Sequence, residues 1–206
     1  ALLYTISRTP ATDMLTLGLI STLIGGWLGL NQTQVRKLLS FSSIAHMGWL
    51  MIALTLRPEL ATLTLMTYIT LTTCMFLSFT LTTTKTLSDL GTTHSYYPML
   101  TPLLMFSMMS LGGLPPLSGF MPKWLILNEL VLKALPLLAT TLALASLPSL
   151  YFYTRMTYIS TLTIPPNTPL TEHKWRMKLH LPPSLMMMST LAMMILPLTP
   201  TLSYTL

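Results

Sequence analysis

Long apolar runs separated by short polar breaks give this chain its pattern. The breaks fall at the spacing of membrane-crossing helices, which need about 20 mostly apolar residues each. Residues 1–10 read as the tail of a preceding helix, ended by Arg8 and Pro10. Helical runs then cover 11–30, 35–56 and 59–84, with Arg57-Pro58 closing the second. A polar stretch, 85–98, holds Lys85, Asp89, Gly91 and His94 and reads as a loop. Region 99–132 is too long and too interrupted for one straight helix. A further span covers 134–155, a polar loop 156–180, and a last transmembrane helix lies in 181–206, over about 182–203. The runs are continuous and do not alternate as the strands of a membrane barrel would. Only helices or closed barrels satisfy a backbone in lipid, so the pattern predicts an all-α, polytopic transmembrane helix bundle.

Composition strengthens this reading. Charged residues are 8% of the 206 and hydrophobic ones 51%, against about 25% charged in an average soluble chain. So little charge could not cover a soluble domain, and lipid is the expected surroundings. The single cysteine, Cys74, excludes a disulfide framework and any cysteine-based metal or iron–sulfur site. The net charge of +6 is spread over loops, with no basic helix or aromatic-interleaved run, so no nucleic-acid partner is expected. The chain starts at Ala1 on an apolar stretch without a cleavable leader and reads as a piece of a longer protein.

Alternate crossings place Arg36, Lys37, Lys85, Arg155, Lys174, Arg176 and Lys178 on one side and Arg8, Arg57 and Lys133 on the other. The richer side is the inside by the positive-inside rule.

Three ionisable residues fall inside the spans: His46, Lys123 and Glu129. An unpaired charge at that depth costs a few kcal/mol or more, so each is a functional candidate. His46 lies ten residues beyond Arg36, about 15 Å in, at the middle of a ~30 Å core. Ser42 and Ser43 share its helix face. The histidine is either a proton carrier or a neutral group hydrogen-bonded to a neighbouring helix.

Lys123 lies ten residues before Lys133, about 15 Å from the opposite interface. Before it runs Leu111-Gly112-Gly113-Leu114-Pro115-Pro116-Leu117-Ser118-Gly119-Phe120-Met121-Pro122. Gly112, Gly113, Pro115, Pro116, Gly119 and Pro122 interrupt any regular helix. Region 99–132 is therefore two half-helices, near 99–112 and 121–132, broken at mid-membrane. Irregular backbone at that depth survives only inside protein or against a wet cavity, and broken helices mark transporters. Lys123 is too deep to reach an interface by snorkelling, and a lysine held there is a candidate to take and release a proton. Glu129 lies about 9 Å further out. It reads either as an interfacial partner of Lys133, four residues on, or as an exit-side proton carrier.

No CxxC, HExxH, GxSxG or phosphate-binding loop occurs, and His94, His173 and His180 lack ligand spacing. No metal site and no enzymatic nucleophile are expected in this chain.

Two motifs carry a resemblance. LNQTQVRKLLSFSSIAHMGW, Leu30 to Trp49, and SLGGLPPLSGFMPKW, Ser110 to Trp124, resemble stretches of the subunit 2 family of mitochondrial NADH:ubiquinone oxidoreductase, respiratory complex I. They occur in the same order and at fitting separation, and the chain resembles about the C-terminal three-fifths of such a subunit. The resemblance implies an antiporter-like fold of two inverted five-helix repeats. Residues 11–155 would be the second repeat, followed by a matrix loop and a last helix. It implies a proton path along a mid-membrane axis, with Lys123 matching the lysine of the second broken helix and His46 an axial position. It also implies the mitochondrial inner membrane and other membrane-arm subunits of the complex as partners. NADH, FMN, iron–sulfur clusters and ubiquinone would serve the complex, with none bound by this chain. A proton-translocating subunit that couples electron transfer from NADH to ubiquinone to pumping is the leading expectation. A stand-alone cation/proton antiporter subunit is the alternative, and a structural spacer is disfavoured by a midplane lysine.

Overall fold

A computed structural model describes residues 11–96 and 99–162, together with Pro183, Met187, Ser189 and Thr190. Among these the chain is helical, with no strand beyond one isolated bridge between Gln34 and Thr86. The helices are α1 (Ala11–Gly29), α2 (Val35–Leu56), α3 (Pro58–Thr82), α4 (Leu87–Tyr96), α5 (Leu100–Gly112), α6 (Phe120–Leu132) and α7 (Pro136–Leu162).

The breaks have identifiable causes. Pro58 opens α3 at a first-turn position, where its missing N–H is no loss, and Arg57 is extended between α2 and α3. The left-handed Thr83 ends α3, and the left-handed Ala134 lies in the short link between α6 and α7. By length and apolarity α2, α3 and α7 are each sufficient to cross a membrane. At 13 residues each, α5 and α6 reach only about 20 Å, so neither crosses alone.

Two clusters fill the interior. One joins Leu38 and Leu39 of α2, Met75 of α3, Leu90 of α4, Leu104 and Met108 of α5 and Phe152 of α7. The other joins Trp49 and Ile52 of α2 with Ile126 and Leu130 of α6 and Leu142 of α7. Small residues let α1 and α2 lie close, with Gly25 against the Phe41 and Ala45 backbone. Apolar side chains also face outward, among them Ile24, Trp27, Phe76, Leu137 and Leu144. In water such a surface would aggregate, whereas in lipid it is solvated. The chain is a multi-pass membrane protein.

The two ends are defined by cations on helix-terminal carbonyls. At one end Val35 donates its N–H to the Lys85 carbonyl and Leu87 donates to Thr33. Arg155 closes that end with a bond to the Leu30 carbonyl at 3.1 Å. Arg36, Lys37, Lys85 and Arg155 therefore share it, as the charge count expects. At the other end Lys133 donates to the Leu56 carbonyl at 2.8 Å, at the C-terminus of α2.

Two expected boundaries move. The stretch 85–98, expected as a loop, contains α4. Thr86 and Asp89 form a reciprocal cap: Asp89 Oδ2 accepts from the Thr86 N–H at 2.9 Å, and Thr86 Oγ1 accepts from the Asp89 N–H at 3.4 Å. Leu87 and Leu90 are then buried. His94, expected in that loop, lies on α4. The loop expected over 156–180 loses its first seven residues to α7, which runs to Leu162. Met156, Thr157 and Ser160 are buried there, the polar ones bonding carbonyls within their own helix. The tail 1–10, the loop residues 163–180 and most of the last helix lie outside the described residues.

Candidate functional site

The site is built on the break between α5 and α6. Gly112 and Gly113 close α5 in a Schellman arrangement. The Gly113 N–H bonds the Ser110 carbonyl at 2.9 Å and the Leu114 N–H bonds the Met109 carbonyl at 3.4 Å. Gly113 has φ 86°, a left-handed conformation that glycine takes without strain. Two short turns follow, one through Pro115 and Pro116, in which the Leu117 N–H bonds the Leu114 carbonyl, and one through Ser118 and Gly119, in which the Phe120 N–H bonds the Leu117 carbonyl.

A second contact ties the two halves. Ser110 Oγ and Ser118 Oγ are 2.9 Å apart, and the Gly119 N–H donates to Ser110 Oγ at 3.2 Å. A Cβ at Gly119 would overlap the Ser110 carbonyl, so only glycine allows this approach. Pro122 occupies the first turn of α6, as expected of a residue without an N–H. The irregular backbone is thus hydrogen-bonded, with Gly112, Gly113, Ser118 and Gly119 buried while Pro115 and Pro116 face outward.

This fold-back places Lys123 beneath the end of α5. Its Nζ donates to the Gly112 carbonyl at 3.0 Å. The same ammonium lies 5.8 Å from the centre of the Trp49 ring, within the range of a cation–π contact. Among the described residues the one ion pair is elsewhere, so no carboxylate compensates Lys123. The negative end of α5 favours its charge and the positive end of α6 opposes it.

His46 and Lys123 line one cavity of about 30 Å³, together with Trp49, Thr64, Thr67 and Tyr68. A water needs roughly 10–15 Å³ of such space, so the cavity has room for one or two. His46 packs its ring on Tyr68, with centroids 5.0 Å apart. The shared depth of His46 and Lys123, expected from residue counts made from opposite interfaces, corresponds to a shared cavity.

Glu129 does not line this cavity. Its carboxylate pairs with Arg57, Nη2 to Oε1 at 3.2 Å, with the Arg57 side chain 56% and the Glu129 side chain 15% exposed. The expected Lys133 partner is instead engaged with the Leu56 carbonyl. Arg57 competes successfully because the α2–α3 junction stands beside α6, a long-range contact that helix spacing cannot report.

Trp49 and Tyr68 were not among the sequence candidates. Trp49 had a signal, since it lies one turn beyond His46 on the same helix. Tyr68 had only its place near the middle of a long apolar run. No cluster of three or more potential metal ligands occurs among the described residues.

A multi-span helix bundle with a helix broken at mid-membrane, a lysine at the break and a histidine lining the same small cavity defines an antiporter-like membrane protein. The chain belongs to the family described as NADH:quinone oxidoreductase/Mrp antiporter, transmembrane, which residues 2–148 match; residues 150–203 match the family described as NADH dehydrogenase subunit 2 C-terminus. It is 52% identical over 187 residues to NADH-ubiquinone oxidoreductase chain 2 of Carassius auratus, covering 89% of this chain and 53% of that one. The chain thus spans just over half the length of this relative. Respiratory complex I from Thermus thermophilus contains a chain of the same fold, with TM-score 0.72 and 27% identity over 92% of this chain and 43% of that chain. The Mrp complex from Dietzia sp. shares the fold alone, with TM-score 0.68 and 19% identity over 80% of this chain and 32% of that one.

Proposed function

We propose that this chain is part of a proton-translocating, antiporter-like subunit of NADH:ubiquinone oxidoreductase, set in the mitochondrial inner membrane among other membrane-arm subunits. The reading rests on one observation above the others: an ammonium with no carboxylate partner among the described residues, held at a mid-membrane helix break beside a water-sized cavity that a histidine also lines. Residues 11–155 form its five-helix repeat. The complex uses NADH, FMN, iron–sulfur clusters and ubiquinone. This chain's part is the movement of protons.

In this mechanism Lys123 carries the proton. Its ammonium bonds Gly112 and faces Trp49. When charge elsewhere in the complex changes, Lys123 passes a proton to water in the cavity and from there to His46, or receives one in return. The broken helix makes this possible, because it brings a helix-terminal carbonyl, in place of a neutralising carboxylate, to the lysine. Glu129 stands outside the cavity in its pair with Arg57, and we assign it a structural part at the outer end.

Lys123→Met in the intact complex tests the proposal. Blue-native separation should show an assembled complex, while dye-monitored acidification of vesicles driven by NADH should fall by about a hundredfold or more, the scale for loss of a positioned proton-transferring group. Undiminished acidification would remove Lys123 from the path. Migration of the native chain in a small assembly without NADH oxidation would favour the stand-alone cation/proton antiporter.

A further inference from the structure

We infer that Trp49 is a positioning residue for proton transfer, whose indole face holds the Lys123 ammonium in the place a carboxylate would otherwise take. The inference rests on the proton-translocating reading of Lys123 and adds the group that fixes its position.

The ammonium has two neighbours of different kinds. One of its three donors goes to the Gly112 carbonyl at 3.0 Å. The centre of the Trp49 ring lies 5.8 Å from Nζ, the one cation–π contact among the described residues. The stem of the lysine runs along bare backbone, since a Cβ at Gly113 would lie 2.9 Å from Nζ and 3.1 Å from Cδ. A carbonyl, a glycine and a ring thus border the side chain, and the cavity lined by His46 lies beside it.

The ring has a fixed base. Trp49 is buried and packs in one cluster with Ile52, Ile126, Leu130 and Leu142. Its neighbour Gly48 lies so close to α1 that a Cβ there would overlap Ser21 and Thr22. The backbone of α2 therefore has no room to move towards α1 at this point, and the indole keeps its place in the cavity wall.

An indole suits this position for a physical reason. An opposite charge favours the charged form of its partner, so a carboxylate here would resist release of the proton. An aliphatic side chain would exclude water and offer the ammonium nothing. The negative face of the indole attracts a cation, more strongly in a desolvated site than at a surface, and has little hold on a neutral amine. Trp49 therefore keeps the protonated lysine at the Gly112 carbonyl and releases it once the proton has left.

Fluorinated tryptophan tests the attraction itself. Fluorine on the benzene ring withdraws electron density from its face and adds little volume. The intact complex is prepared from tryptophan-requiring cells fed tryptophan or fluorotryptophan, once as the parent and once as Trp49→Phe. The readout is NADH-driven acidification of vesicles per assembled complex. Fluorination should lower it in the parent by about threefold, the loss of ~0.65 kcal/mol of attraction. In Trp49→Phe, which has no indole at the site, the change should stay below about 1.5-fold. Every other tryptophan of the complex is fluorinated in both preparations, so the difference belongs to Trp49. Without fluorine, Trp49→Leu should lower acidification by about tenfold or more, the scale of ~1.4 kcal/mol. Trp49→Phe should fall between it and the parent, because a phenyl face binds cations less well than an indole. No loss on fluorination in the parent, or an equal loss in Trp49→Phe, overturns the proposal, as does a Trp49→Leu value equal to that of the parent. The fluorination result is decisive even if Trp49→Leu fails to assemble, and Trp49→Tyr replaces Trp49→Phe as the background if that variant does. Lys123→Met keeps the two readings apart. If it abolishes acidification while fluorination acts equally in both preparations, Lys123 carries the proton without Trp49; if it leaves acidification intact, the proton-translocating reading itself fails.

Discussion

Lys123 Nζ donates to the Gly112 carbonyl at 3.0 Å, so the first turn of one half-helix caps the last turn of the other. The bond is stronger with a cation, whereas transport needs a cation that can lose its proton. Lys123→Arg separates the two requirements. A guanidinium keeps the charge and the donors but holds its proton at any pH a protein survives. Assembly and NADH oxidation by the redox arm should persist, while acidification of vesicles by the complex should fall as far as with Lys123→Met, by about a hundredfold or more. Near-normal acidification in the arginine variant would mean that position 123 supplies charge alone.

The two glycines of the break should fail differently. At Gly119 an added Cβ meets the Ser110 carbonyl, which is backbone and cannot turn aside. Gly119→Ala should cost about 3 kcal/mol, at the high end of overpacking, and show as loss of assembled complex on blue-native gels. At Gly113 the added Cβ meets Lys123 Nζ at 2.9 Å, the far end of a flexible side chain. The left-handed conformation adds about 1–2 kcal/mol of strain. Gly113→Ala should therefore assemble at a higher level than Gly119→Ala, yet lose acidification because it displaces the ammonium. Equal assembly of the two variants would contradict the close contact at Gly119.

The sequence made the broken helix legible because glycine and proline act on the backbone locally. The Gly112–Pro122 run sets the end of α5 and the start of α6 to within a residue of expectation. Arg57-Pro58 does the same between α2 and α3. The failures lie where polar residues sit on helices. Thr86 and Asp89 were read as loop composition, although their spacing is that of a reciprocal cap. Residues 156–162 fall within the polar stretch 156–180, yet Thr157, Ser160 and Thr161 each bond a carbonyl of their own helix and need no water. The depths of His46 and Lys123 could be counted, since helical rise is constant. The Arg57–Glu129 pair and the place of Tyr68 could not, because both depend on which helices are neighbours.

The Arg57–Glu129 pair bears on where protons leave. With Arg57 more than half exposed, the pair is screened and worth about 1 kcal/mol or less. Arg57→Ala and Glu129→Gln should each leave acidification within about twofold of the parent and assembly within the same margin, the scale of a sub-kcal/mol effect. A double-mutant cycle on thermal stability should return a coupling under about 1 kcal/mol. If Glu129→Gln abolishes acidification as Lys123→Met does, Glu129 belongs on the proton path as its exit-side carrier.

At the basic end, Asp89 holds the start of α4. The Thr86 N–H, at 2.9 Å, is the main reason its carboxyl stays below the usual carboxylate range, with the Lys85 N–H and the Lys85 charge adding to the effect. A carboxylate lowered by folding contributes stability that is fully present above its unfolded pKa of about 3.9 and is lost as pH falls through the folded value. The cap should therefore be constant between about pH 5 and 8 and weaken only below about pH 4. Asp89→Ala removes it at every pH. Loss of a helix cap is worth about 1 kcal/mol, so amide hydrogens of residues 87–90, corrected for intrinsic exchange, should lose about fivefold of protection at pH 7. Unchanged protection in the variant, or a loss in the parent between pH 7 and 5, would show that the bridge between Gln34 and Thr86 secures α4 without the carboxylate.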